Sequence, residues 1–244
     1  MAFIRSFLAY LPALSYVFKH GLSRYFLYSG LISLVLGAIT FGSAYLFADD
    51  IGGLLTSFYP YERGAGIVAR VSTVASGLTL GVVGLLLYKY ILLILISPFM
   101  SPLAERVEEI ETGAVPANQG LGEVGYSMVR GVRISIRNLT KEIFYTILLL
   151  LLGLIPLFSI PATVLLFAVQ AYFMGFANTD YHLEKSHTVK ETIAYGKRNK
   201  LSLMGNGAGF LLLLLIPVAG LLFAPVLGTV AATRQSLQHG RLIA

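Results

Sequence analysis

Residues Ile143–Thr179 read IFYTILLLLLGLIPLFSIPATVLLFAVQAYFMGFANT, 37 positions without a charged side chain. A helix that crosses a bilayer needs about 20 apolar residues, so two crossings and a turn need more than about 40. The stretch is too long for one span and short for two. Pro156 and Pro161 sit near its middle, where the chain can reverse. A helical hairpin fits, with arms that are steeply tilted or only partly inserted. Leu201–Thr233 repeats the arrangement, with 33 uncharged residues and Pro217 and Gly220 near the centre. Turns at that depth must be buried in protein or line water, because lipid cannot satisfy their backbone groups.

Upstream, Tyr25–Ala48 is an uncharged run of 24 residues, long enough to cross once, with Tyr25, Tyr28 and Tyr45 as interfacial anchors. A second spanning helix is predicted over residues 67–97, about 46 Å long, so it tilts or protrudes. Pro98 and Pro102 predict its end. Residues 98–142 read as cytoplasmic amphipathic helices, 143–179 as the first hairpin, 180–200 as a cytoplasmic loop and 201–236 as the second hairpin. In residues 1–20, Phe3, Phe7, Leu11, Leu14 and Phe18 recur at helical spacing. Pro12 interrupts that run and no small-residue cleavage site follows, so an interfacial helix fits better than a cleaved signal. The expected fold is an all-α integral membrane protein with one membrane domain over 1–244. It has two long transmembrane helices, two tilted or partly inserted helical hairpins, and interfacial amphipathic helices.

Composition agrees. Of 244 residues, 56% are hydrophobic and 12% charged, against about 25% charged in soluble domains. That balance excludes a soluble globular enzyme. The absence of Cys excludes disulfides, thiolate chemistry and cysteine-ligated metals. No phosphate loop, nucleophile elbow or dinucleotide fingerprint is present, so no enzymatic activity, cofactor or nucleic-acid partner is expected. The Asp49–Gly66 loop holds Asp49, Asp50 and Glu62 against Arg63, whereas the other connecting segments are rich in Lys or Arg. The positive-inside rule then places both termini and both hairpin bases in the cytoplasm.

Four cations, Arg130, Arg133, Arg137 and Lys141, fall within an arc of about 80° on one helix face. They read either as a face that meets lipid phosphates or as the wall of an anion vestibule. The segment Gly21-Leu22-Ser23-Arg24 precedes the first spanning helix, where backbone N–H groups, a hydroxyl and a guanidinium suit an oxyanion. Lys89 lies inside the second spanning helix, either as a pathway charge or snorkelling to an interface. Glu105, Glu108, Glu109 and Glu111 read as an exposed acidic helix or as partners of the basic stripe. His182 and His187 flank Glu184 but lack a third ligand at metal-binding spacing.

Several pieces, in order, resemble the CysZ-type sulfate permeases and the broader etoposide-induced-protein family. They are Ser97-Pro98-Phe99-Met100-Ser101-Pro102-Leu103-Ala104-Glu105-Arg106-Val107-Glu108, then Asp180-Tyr181, and Lys197–Lys200 leading into Gly205-Asn206-Gly207. The last hairpin adds Ile216-Pro217, Ala224-Pro225-Val226 and Gly228-Thr229. The resemblance implies two transmembrane helices plus two partly inserted hairpins, in a homo-oligomer of the bacterial inner membrane. It also implies uptake of sulfate or sulfite for cysteine synthesis. Such permeases hold the anion at a Gly-x-Arg-Arg turn, which corresponds to Gly21, Leu22, Ser23 and Arg24, with Ser23 in place of the first Arg. Their Arg-Glu-x-x-Lys pattern is matched by Arg137 and Lys141, with Asn138 in place of Glu. These departures mark a divergent branch.

Two functions follow. One is a passive channel or permease for a small oxyanion, sulfate or sulfite, surrounded by membrane lipids. The other is a non-transporting scaffold that organises lipid, with the basic residues turned to headgroups.

Overall fold

A computed structural model describes residues 1–46, 65–113, 121–216 and 219–241. The order is α1 (Ala2–Leu8), α2 (Tyr10–Lys19), α3 (Arg24–Leu46), α4 (Ala65–Thr112), α5 (Leu121–Gly153), α6 (Ser159–Leu183), α7 (Val189–Arg198), α8 (Lys200–Leu214) and α9 (Ala219–Arg241). No strand occurs among the described residues. The expected all-α membrane class is the one adopted. Tyr88–Thr112 of α4 and the whole of α6 are long and apolar enough to cross a bilayer, and α1–α2 with α3 form a further, bent pair. Residues 49–64 of the expected outward loop, and Pro217, lie outside the described residues.

The expected helix end at Pro98 and Pro102 is corrected. α4 runs for 48 residues, about 72 Å, through both prolines. Pro98 has no N–H for the Ile94 carbonyl, but the Ser97 hydroxyl donates to that oxygen at 2.8 Å. Pro225, inside α9, likewise strands the Leu221 carbonyl, and Ser33 of α3 donates to it at 3.3 Å. At these two places a serine replaces the lost backbone donor, so the helix continues where an unsatisfied carbonyl would have ended it.

The boundary expected at residue 142 is also absent. The basic stretch and the first hairpin arm form one helix, α5, of 33 residues. The reversal falls at a 3₁₀ turn over Pro156–Phe158, as the run predicts. Pro161 sits in the first turn of α6, where N–H groups have no intrahelical acceptor anyway. The hairpin arms are unequal. α6 has 25 residues, whereas the 15 of α8 reach about 22 Å, less than a hydrocarbon core of about 30 Å. Leu154, Leu157 and Ile160 leave the tip of the first hairpin apolar and exposed.

α6 and α8 cross with their backbones in contact. A Cβ on Gly175 would lie 1.9 Å from the Leu203 carbonyl oxygen, and one on Gly207 would lie 1.8 Å from that of Ala171. Beside the crossing, Asn178 Nδ2 donates to Asn206 Oδ1 at 2.8 Å, and Asn206 Nδ2 donates to the Gly228 carbonyl of α9 at 3.0 Å. The Tyr10 hydroxyl of α2 donates to the Asn206 carbonyl at 2.7 Å. One asparagine therefore links four helices. The first twenty residues form two short helices, α1 and α2, which lie against α8 and α9 through buried Ser6, Tyr10, Ala13 and Val17. Their large apolar side chains, Ile4, Leu8, Leu11, Leu14 and Phe18, point outward.

Gly175→Ala or Gly207→Ala should force α6 from α8 and cost about 3 kcal/mol or more, the upper end of core overpacking. The thermal unfolding midpoint of detergent-purified protein should fall sharply for both. An unchanged midpoint would show that the crossing has slack.

Candidate functional site

The chain turns through 116° between α2 and α3. Leu22 N–H donates to the Val17 carbonyl at 2.9 Å and Gly21 N–H to that of Phe18 at 3.3 Å, which ends α2 in a Schellman motif. Gly21 has φ +67°, a conformation that a side chain resists. Leu22 is buried with Val17 in the same apolar cluster, and this anchoring leaves Gly21, Ser23 and Arg24 exposed. Tyr25 and Phe26 donate their N–H groups back to Leu22 and Ser23, whereas those of Ser23 and Arg24 meet no backbone carbonyl among the described residues. The Arg24 guanidinium lies 5.4 Å from the Tyr25 ring centroid. The corner thus offers two N–H groups, a hydroxyl and a guanidinium at a helix start, where the peptide dipoles favour an anion.

The basic stripe loses one member. Arg130 is only 3% exposed. Its Nη2 donates to Asp180 Oδ1 at 2.7 Å and to Thr192 Oγ1 at 2.9 Å, and its Nη1 donates to the His187 carbonyl at 2.6 Å. Arg130 therefore clamps α5 to α6 and α7 instead of lining a vestibule. Arg133 and Lys141 are exposed and Arg137 is half-buried, 5.5 Å from the Phe176 ring. Among the described residues no carboxylate pairs with Arg133, Arg137, Lys141 or Lys197. The Arg137 guanidinium, then burial, then Lys197 of α7 hold the Lys141 amine below the usual lysine range. α5 packs mainly on α4 and α6, while α2 and α3 pack on α9 and α4, so the stripe and the Gly21–Arg24 corner are not brought together.

Lys89 does not snorkel. Its Nζ lies 2.5 and 2.7 Å from the two carboxylate oxygens of Glu142, and the Tyr90 hydroxyl donates to Glu142 Oε2 at 2.6 Å. Lys89 stands midway along a 48-residue helix with its side chain buried, and Glu142 is wholly buried. Glu142 escaped the sequence reading. Its signal is the buried polar line Asn138, Glu142 and Thr146, spaced by four along α5.

The acidic run on α4 does not meet the stripe and is not freely exposed. Glu105 pairs with Lys185, Glu111 with Arg234 at 2.7 Å, and Glu108 lies 3.4 Å from His182 Nδ1. His187 Nδ1 instead lies 2.8 Å from Ser186 Oγ, so the two histidines turn to different partners.

The profile of the family described as "Sulfate transporter CysZ/Etoposide-induced protein 2.4" matches residues 9–225. The chain belongs to this family. No curated protein is similar enough in sequence to be compared with it. In this CysZ-family chain, several of the residues that carry the resemblance hold helices together. Phe99 packs on Tyr28 with ring centroids 5.2 Å apart, which fixes α4 against α3 one turn beyond Arg24. Pro98 is bridged by Ser97, Asp180 receives Arg130, and the Tyr181 hydroxyl donates to the Leu93 carbonyl at 2.9 Å. The Gly21–Arg24 corner differs in being exposed. The chain is a membrane protein of a sulfate-transporter type.

Lys89→Met leaves Glu142 buried without its cation and should cost about 3–5 kcal/mol, whereas Lys89→Met with Glu142→Met should recover most of that loss. Thermal unfolding of both variants decides the matter. Equal midpoints would mean that the two side chains are not coupled.

Proposed function

We propose that this protein is a passive permease for a small oxyanion, sulfate or sulfite, in the bacterial inner membrane, with both termini in the cytoplasm. The observation that carries the reading is the exposed Gly21–Arg24 corner in a member of a sulfate-transporter family. There the Arg24 guanidinium supplies charge, Ser23 supplies a hydroxyl donor, and the backbone N–H groups of Ser23 and Arg24 meet no backbone carbonyl among the described residues. Arg133, Arg137 and Lys141 raise the local anion concentration without binding it tightly. α8 is too short to cross alone, which supports a homo-oligomer whose hairpins complete a path together. A single guanidinium at the corner favours weak, quickly reversible capture, which suits conduction.

In proteoliposomes, labelled sulfate should show saturable uptake that Arg24→Ala reduces about tenfold or more, the loss of a charge-assisted contact. Ser23→Arg should tighten the apparent sulfate affinity. Competition by unlabelled sulfite and phosphate ranks the anions. No uptake above empty liposomes, from folded protein, would favour the lipid-organising scaffold.

Lys141 gives a second test. Its lowered pKa means that the folded state disfavours the protonated amine. Without anion, stability should therefore rise as pH climbs through the lowered Lys141 pKa. Sulfate added at neutral pH should raise the unfolding midpoint, and Lys141→Ala should shrink both effects. A sulfate shift equal to wild type in that variant would remove Lys141 from the anion's surroundings.

A further inference from the structure

On the side of the bundle formed by α1, α2 and the end of α9 lies an open cleft of about 330 Å³. This is the lower end of the range typical of small-molecule sites. Arg5 lines one wall, and Arg234 with Gln235 and Gln238 lines the other. The surface between them is apolar, contributed by Leu8, Pro12 and Ala231. No sequence motif points to this place, and neither the corner nor the stripe contributes to it.

Arg234 is oriented before any ligand arrives. Its Nε donates to Glu111 Oε1 at 2.7 Å, and its guanidinium lies 4.5 Å from the Tyr16 ring centroid. Its terminal nitrogens donate to no acceptor among the described residues. Arg5 is exposed and has no carboxylate partner among the described residues. A guanidinium held by a carboxylate on one edge and a ring on its face keeps its outer edge for a second acceptor. Two guanidiniums lining one cleft suit an oxyanion between them.

The apolar wall decides which oxyanion. Leu8 belongs to the outward face of α1–α2, with Ile4, Leu11 and Leu14 exposed beside it. With that face set in the membrane interface, a placement that rests on the membrane topology proposed above, the cleft opens at headgroup depth. A free inorganic anion gains nothing from Leu8 and Pro12, whereas a lipid sets its phosphate on the arginines and a chain along the apolar wall. We propose that this cleft binds the phosphate group of an anionic membrane lipid and thereby fixes the N-terminal helices to the bilayer surface.

Full-length protein in non-ionic detergent can be titrated with short-chain phosphatidylglycerol by calorimetry, with short-chain phosphatidylcholine, inorganic phosphate and sulfate as separate arms. Phosphatidylglycerol should bind most tightly, and Arg5→Ala, which breaks no side-chain hydrogen bond or ion pair among the described residues, should weaken it about fivefold, the worth of one cation near an anionic headgroup. Arg5→Ala with Arg234→Gln should abolish binding. Equal affinity for phosphatidylcholine, or unchanged phosphatidylglycerol affinity in Arg5→Ala, would overturn the site. Inorganic phosphate binding as tightly as the lipid would overturn the lipid as occupant and leave a free-anion site. Flux is not read, so this outcome is separable from that of the sulfate-uptake test.

Discussion

The rest of the molecule hangs on the backbone contact between α6 and α8. Among hydrocarbon side chains in a hydrocarbon solvent, apolar burial favours no helix pair over lipid, so close packing and polar contacts must do the selecting. Gly175 and Gly207 have no Cβ, and the carbonyls of Leu203 and Ala171 occupy the space where one would be. That approach aligns Asn178 with Asn206, whose amide then reaches α9 while its carbonyl receives Tyr10 of α2. With α2 held there, the Schellman turn at Gly21 sets the direction of α3. The exposure of Ser23 and Arg24 is thus a distant consequence of two glycines on other helices.

The low-dielectric interior also sorts the cations. A buried charge is tolerated only with a partner, so Lys89 is matched by Glu142 and Arg130 by Asp180. Both pairs join consecutive helices, through residues 53 and 50 positions apart, and serve the scaffold. Among the described residues, Arg24 at the corner and Arg133, Arg137 and Lys141 on α5 have no such carboxylate partner. Arg137 and Lys197 both hold the Lys141 amine below the usual lysine range, a crowding of like charge on this face. Arg5 stands apart from both groups, across an amphipathic cleft from an arginine already held in place.

Much of the architecture was legible because it depends on local quantities. The hairpin reversal at Pro156 followed from counting uncharged residues against bilayer thickness, and the helical character of residues 1–20 from the period of five apolar side chains. The prolines misled for a definable reason. Pro98 and Pro225 remove a donor as expected, but whether the helix ends depends on whether another group serves the stranded carbonyl. Ser97 is adjacent in sequence, so its role was within reach of a reading that considered hydroxyls beside prolines. Ser33 lies on another helix, and nothing near Pro225 announces it. The stripe was legible as geometry and misread in one member, since helical phase places Arg130 with Arg133 and Arg137 but carries no information about Asp180.

The sequence by itself determined the class of protein, the number and approximate lengths of its apolar segments, the family, and the corner at Gly21–Arg24. These follow from composition, spacing and short motifs, each a property of neighbouring residues. Only the tertiary structure decided which charges are spent inside the bundle, which prolines are bridged, and which arginines face each other across the cleft beside α1. Those outcomes depend on which helices touch. Contact here is governed by backbone approach at a few small residues and by the matching of polar groups across distant segments, neither of which leaves a periodic trace along the chain.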